Sequence, residues 1–453
     1  MSADLTTGPV PAHLRRQAMP MAMGLLAIIS FDVVDLFFIS KLGDVPLAAI
    51  SFTFPIIWLM SSIIIGFEAG AASCISRAIG RNDIPSARRQ TTDTALLAGL
   101  VSLSLCIAGL FTITPVFRML GATDELLPLV HDYMGIWYWS APASAITWTC
   151  LSAIRARGNT MLEGKIIVLA AVLNAILDPL LIFGLFGFPR LEVAGAALAT
   201  LLSSATVMVG TLVYLHLNLR VFATPFTALA NVFESWRLML KVGLPAMLTN
   251  AIVPISNGVA VAMIASFGVD AVAGYGVAIR MEPIALIAFY ALSAVTSPFM
   301  GQNFAAGRID RLETARKAIG YFCLVYGLAM AVIIVLSASS VVGFFSDTDS
   351  IQNVAMEYLW IMAISYGGYG VVMATCAAFN GVGYPIPGLI ISTSRAVVIF
   401  LPLAWLGKWL IGLNGIFLAA AISNILIGVV GYTWLGRNIR RVKDGLRPGL
   451  KSQ

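Results

Sequence analysis

Two short stretches hold polar groups where the surrounding chain is apolar. FDVVDLFFIS, residues 31–40, carries Asp32 and Asp35, and LNAILDP, residues 173–179, carries Asn174 and Asp178 just before Pro179. On a helix, residues three or four apart share a face, so each stretch offers its oxygens to one neighbour. Carboxyl groups placed this way can take up and release protons, or hold a hard cation together with neutral oxygens. An ionisable side chain at membrane depth is costly unless paired or hydrated, which makes these residues functional candidates by default. Other chemistries find no residues to carry them. There is no GxxxxGK[ST] loop for ATP phosphates and no HExxH zinc motif, which leaves an ion gradient as the energy source. Cys74, Cys106, Cys150, Cys323 and Cys376 form no CxxC pair and read as small buried residues.

The elements that must position these side chains are membrane helices. The 453 residues are 59% hydrophobic and 11% charged, too apolar for a soluble chain of this length. Apolar runs of about 20 residues, long enough to cross a bilayer, occur twelve times: 15–40, 46–76, 91–113, 126–153, 164–187, 193–218, 236–266, 270–300, 314–338, 350–379, 386–407 and 412–436. The first run follows His13, Arg15 and Arg16 but is too long for a signal peptide and is read as a retained helix. With Arg15 and Arg16 inside, 22 of the 28 Lys and Arg residues fall on the cytoplasmic side, including the tail residues Arg447 and Lys451. Both termini are then cytoplasmic, and the formal charge of +6 follows from topology rather than from nucleic-acid binding.

The twelve spans divide into two sets of six. A shift of 225 lays Pro20 on Pro245, Gly43 on Gly268 and Gly158 on Gly383; 227 lays Gly80-Arg81-Asn82-Asp83 on Gly307-Arg308-Ile309-Asp310; 223 lays Asp178 on Leu401; and 220 lays Gly195 on Gly415. Six is even, so both halves enter the membrane from the same side, as in transporters built from parallel repeats. The expected division is an N-terminal lobe over 1–219, a cytoplasmic linker over 220–235 and a C-terminal lobe over 236–453. The second copy has Asn257 opposite Asp32, Ala260 opposite Asp35 and Leu401 opposite Asp178. Acids needed only for the fold would be expected in both copies.

VDLFFISKLGDVPLAA, GAASCISRAIGRND, LNAILDPLLIFG, VAGAALAT and GQNFAAGR resemble the recurrent motifs of the multidrug and toxic compound extrusion family, in its DinF-like prokaryotic branch. The resemblance runs from about Pro20 to Gly431. It implies an all-α integral membrane protein of twelve helices in two six-helix lobes forming a V-shaped central cleft, in the cytoplasmic (inner) membrane of a bacterium. It implies a multidrug antiporter, not an enzyme, that confers drug resistance by exporting amphipathic, often cationic compounds in exchange for H+ or Na+. The family's coupling residues match Asp35, Asn174, Asp178 and Thr200, while Asp32 lies outside the motif. Other branches use acids in helices seven and ten. Here those spans hold only Glu234, just before the seventh, and Glu357, near the outer end of the tenth, so the resemblance supplies no cation site in the C-terminal lobe.

The expected mechanism couples a proton taken up outside by Asp35 and Asp178 to bending of the first helix near Pro20 or Gly24. That bending shrinks the drug cavity, and the proton is released inside. A Na+ alternative would use the oxygens of Asp35, Asn174, Asp178 and Thr200, and no resident metal or cofactor is expected. Tyr133, Trp137, Tyr138, Met281 and Glu68, with Phe54 and Tyr290, are candidates for lining the cleft, although Glu68 equally suits an interhelical hydrogen bond. Asp93 reads as a helix-start acid and the two GRxD sequences as matching turns. Arg280 and Glu282, two apart, do not face each other and should pair elsewhere. The expected partners are small drugs or toxic organic cations and membrane lipid, with the protein a monomer. A lipid-linked oligosaccharide flippase remains an alternative, for which only Arg280 and Arg395 could meet pyrophosphate. A channel or receptor fits a duplicated fold poorly.

Overall fold

The computed structural model describes residues 5–223, 229–345 and 348–445. Arg447 and Lys451 of the basic tail and residues 224–228 of the expected linker lie outside these. Among the described residues there are helices and no strands. The first half contains α1 (Val10–Ser40), α2 (Asp44–Gly80), α3 (Ile84–Met119), α4 (Leu127–Trp137), α5 (Ser140–Ala156), α6 (Thr160–Phe183) and α7 (Glu192–Tyr214). The second contains α8 (Leu229–Ala265), α9 (Val269–Ala305), α10 (Ile309–Phe345), α11 (Asp349–Ala363), α12 (Tyr366–Gly381), α13 (Ile386–Thr393), α14 (Phe400–Ile411) and α15 (Leu413–Lys443), with a π-helical segment, Ser394–Ile399, joining α13 to α14.

Among the described residues ten helical segments are long and apolar enough to span a membrane, and the α11/α12 pair, bent by 58°, makes eleven. The α4/α5 pair stands at the corresponding place in the first half, where the sequence has its remaining apolar run, 126–153. The sequence runs 126–153 and 350–379 read as single spans, but each is broken into two helices, and a serine hydroxyl stands at both breaks. Ser140 Oγ donates to the Trp137 carbonyl at 2.7 Å and Ser365 Oγ to the Met362 carbonyl at 2.8 Å, so a hydroxyl satisfies a carbonyl at the end of the preceding helix.

The halves repeat most closely where the backbone leaves the common helical range. α2 and α9 are each 37 residues long, and Gly43 and Gly268 precede them at φ 118° and 108°, values that only glycine adopts without strain. The turns that follow pair Asn82 (φ 60°) with Gly307 (φ 70°), an offset of 225 rather than 227. The two GRxD sequences are therefore out of register by two residues and play different parts. Asp83 caps α3 by accepting from the Ser86 amide at 3.1 Å, whereas Asp310 sits in the first turn of α10 and pairs with Lys443 at 2.9 Å. Asp93 is also not at a helix start, because α3 begins at Ile84; it pairs with Arg89 one turn earlier at 2.9 Å.

The helices pack into two compact units, one of residues 20–247 and one of residues 248 onward together with the chain before residue 20. Their limits fall within α1 and α8. In the first unit α1 meets α6 closely at Pro20: a Cβ added at Gly164 would lie 2.6 Å from the Pro20 carbonyl oxygen. Beyond that contact α1 is loosely held, with no fully buried residue between Gly24 and Ile39, and its apolar window, 11% buried, is the least enclosed of all the spans. The five cysteines are free and buried.

Candidate functional site

The acids of the first half and their partners all lie in the unit of residues 20–247. α6 turns Asn174 and Asp178 inward, at 4% and 0% exposure, and α7 brings Thr200 and Ser203 to them. The Asn174 amide stands between Asp178 and the α7 hydroxyls. Oriented to satisfy both of its ends, it donates from Nδ2 to Asp178 Oδ2 at 3.0 Å and Oδ1 at 3.2 Å, and accepts at Oδ1 from Ser203 Oγ at 3.0 Å. The Thr200 hydroxyl donates to its own helix, at the Ala196 carbonyl, 3.1 Å away. Pro179 follows directly and, lacking an N–H, leaves the preceding turn of α6 one backbone hydrogen bond short.

α1 supplies the other two carboxyls. Asp35 is half-buried, with Oδ1 enclosed and no donor to satisfy it, while Asp32 is exposed. Asp35 lies within electrostatic reach of Asp32 on one side and of Asp178 on the other. The pair that looks equivalent in sequence is thus unequal in structure: Asp35 is the link between α1 and the α6 network. Tyr133, a cleft candidate, is buried in α4 within electrostatic reach of all three carboxyls.

Beside Asn174, Thr200 and Ser203 a cavity of about 150 Å³ opens, lined also by Phe31 of α1 and by Thr147 and Trp148 of α5. It is smaller than a drug-sized pocket and would take only part of such a compound. Sequence reasoning missed Ser203 and Trp148. Ser203 was accessible to it, since it stands three residues after Thr200 and so on the same face of α7, whereas nothing local distinguishes Trp148 from a core residue.

The remaining candidates lie elsewhere. Tyr138 is buried in the first unit's core and Trp137 packs edge-on against it at 6.0 Å. Phe54 packs on the same core. Met281 is half-buried on α9, and Tyr290 is 36% exposed. Glu68 bonds Arg155 of α5, which also reaches Glu163 of α6 at 3.4 Å, so it belongs to an ion triad at the basic end of the unit. Arg155 and Glu163 are 2% and 0% exposed.

The MatE family pattern matches this chain twice, over residues 20–180 and again over 245–406, the same two halves that the helix limits define. The chain belongs to the MatE family. This MatE transporter is 36% identical to a protein of Shewanella oneidensis named FAD transporter, over 97% of each chain, and 24% identical to the multidrug export protein MepA of Staphylococcus aureus over 92% of each. Its fold matches a mutant of the Vibrio cholerae MATE transporter VcmN with a TM-score of 0.92, at 28% identity over 98% of each chain, and VcmN in a bent form with a TM-score of 0.90. It is a multi-pass membrane transporter and not an enzyme.

Proposed function

We propose that this MatE transporter is an H+-coupled antiporter of the bacterial cytoplasmic membrane, with both termini in the cytoplasm, that exports amphipathic organic compounds. One arrangement favours H+ over Na+. Oriented to satisfy both of its ends, the Asn174 amide turns its N–H group, not its oxygen, to the Asp178 carboxylate. A Na+ ion needs several oxygens converging on it, and here the amide oxygen is turned to Ser203 and the Thr200 hydroxyl to Ala196. A carboxylate with a neutral donor on one side and another carboxyl in electrostatic reach suits the binding of a proton.

Protonation of Asp35 or Asp178 removes the charge that favours a hydrated, open arrangement between α1 and α6. α1, fixed at Pro20 by its contact with Gly164 and weakly enclosed beyond Gly24, is then free to bend, and Phe31 moves against the cavity beside Asn174. The bent form named for the similar VcmN supports a fold that tolerates such a change. Deprotonation on the cytoplasmic side restores the starting state. Asp32, exposed next to Asp35, serves as an entry point for protons.

The cargo has two readings. Multidrug export is supported by the relatives named MepA, and a flavin dinucleotide is supported by the 36% identical relative named FAD transporter. The test loads proteoliposomes with a fluorescent cationic dye or with FAD and imposes first a pH gradient and then a Na+ gradient. Movement of either cargo under the pH gradient alone is expected. Movement only under the Na+ gradient would reverse the choice of coupling ion, and movement of neither would point to a lipid-linked cargo.

A further inference from the structure

The second half has no acid at the positions matching Asp32, Asp35 and Asp178, yet it holds an ionisable centre of its own. Glu282 lies on α9, thirteen residues after the helix begins at Val269. The Tyr358 hydroxyl of α11 donates to its Oε2 at 3.2 Å. Glu282 takes part in none of the ion pairs within 4.0 Å among the described residues. Its Oε1 is neither hydrogen-bonded nor sealed.

Arg395, a cation within electrostatic reach of Glu282, is held by other groups. Its guanidinium lies over the Tyr369 ring at 4.7 Å and donates from Nη1 to Asn424 Oδ1 at 3.2 Å, while its Nε is enclosed without a partner. Asn424 Nδ2 in turn holds Ser365 Oγ, at the break between α11 and α12, at 3.1 Å. Tyr366, next in the chain, is fully buried with its hydroxyl unpartnered, and it lies within electrostatic reach of Glu282, as do Tyr275, Tyr290 and Tyr369. Arg395 lies in the π-helical segment Ser394–Ile399, a distortion often found at functional sites.

A carboxylate kept for stability at this depth would be expected to contact its cation, because burying two charges is offset only by good geometry. Here the opposite charges stand within electrostatic reach but out of contact, the Tyr358 hydroxyl holds one carboxylate oxygen, and the other is left open. That is the arrangement of a group that changes charge. We propose that Glu282 is a second proton-exchanging carboxyl, carried by the C-terminal unit, with Arg395 as its responding cation. Ionised Glu282 attracts Arg395 and, through Asn424 and Ser365, tightens the α11/α12 break; protonated Glu282 releases it. One proton is bound or released at Glu282 per change, and no other reactant is needed. The inference goes beyond the carboxyls of the first unit and stands apart from them.

The test is dye export by full-length protein in proteoliposomes, read as a pH profile and as protons moved per dye, for wild type, Glu282→Gln and Tyr358→Phe. Gln keeps the shape and the acceptor for Tyr358 but cannot exchange a proton. The expected result is fewer protons per dye and a flattened pH profile for Glu282→Gln. Tyr358→Phe should shift the profile with the proton ratio unchanged. Should Glu282→Gln fail to give a monodisperse protein, Glu282→Asp and Tyr358→Phe carry the test, and the proposal falls if both keep the wild-type profile. A Glu282→Gln protein with the wild-type profile and ratio overturns the proposal, as does one changed only in dye affinity, which would assign Glu282 to cargo. Asp35→Asn, measured in parallel, distinguishes the two readings: its loss of coupling beside an unaffected Glu282→Gln leaves the first-unit account standing and this one refuted.

Discussion

Asn174→Leu tests the central contact of the first unit in quantitative terms. Leu keeps most of the volume of Asn and removes the amide. Asp178, 0% exposed, then loses both of its contacts, at 3.0 and 3.2 Å. Ser203 loses little, because its hydroxyl can turn to the Thr200 carbonyl at 3.0 Å. A hydrogen bond to a charged group contributes about 1.5–3 kcal/mol, and a buried acceptor left without a donor costs a similar amount. Since both contacts come from one amide, the expected loss is about 2–4 kcal/mol rather than twice that. Equilibrium unfolding in mixed micelles of wild type, Asn174→Leu, Asp178→Leu and the double variant gives the coupling directly, with about 1.5–3 kcal/mol expected. Thr200→Val is the internal control. Its hydroxyl bonds only its own helix in this arrangement, so the substitution should cost less than about 1 kcal/mol. Additive single losses, or a Thr200→Val loss as large as that of Asn174→Leu, would refute the orientation of the amide and with it the preference for H+.

Three further outcomes follow from the packing. Arg155→Leu leaves Glu163, sealed at 0% exposure, without its cation, and should destabilise by about 3–5 kcal/mol; Arg118→Ala, which breaks an exposed pair with Asp124, should cost under about 1 kcal/mol. Thermal melts of the two variants compare these directly. Gly415→Val should abolish monodisperse protein on size-exclusion chromatography, because even its Cβ would fall 2.0 Å from the Gly407 carbonyl oxygen, where only backbone could give way. Asp83 lies outside the spans, and hydrogen bonding from Ser86, by its hydroxyl first and then by its amide, holds its carboxyl below the usual range. Stability from this cap is therefore present above the unfolded-state pKa and is lost as pH falls through the folded one. Asp83→Ala should cost about 0.5–1 kcal/mol at neutral pH, with the difference from wild type vanishing in acid.

Hydropathy and the repeat made the twelve spans and the two halves legible, because membrane crossing needs an apolar run and duplicated turns need the same backbone angles. The breaks at Ser140 and Ser365 were not legible, since a bend of a few residues leaves no mark on an apolar run. The GRxD register was misread for a related reason: identical letters outweighed backbone geometry that only the structure shows. Within the site, Asp35, Asn174 and Asp178 stood out through their cost in an apolar helix and through the family motif, and helical spacing fixed their faces. Spacing could not reveal that Asp32 and Asp35 differ in enclosure, which depends on where α6 and α4 run. Nor could it give the surroundings of Glu282, whose hydroxyl partner lies 76 residues away on α11. That centre also sharpens the asymmetry between the halves, since the second copy has an acid, but on a different helix.

The account's central claim is that the carboxyls of α1 and α6 carry the coupling proton. Its most direct measurement is dye export driven by an imposed pH gradient in proteoliposomes containing wild type, Asp35→Asn or Asp178→Asn, with dye binding measured on the same preparations. The account predicts that both variants still bind dye but lose export driven by the gradient. Full activity with wild-type pH dependence in both would contradict it.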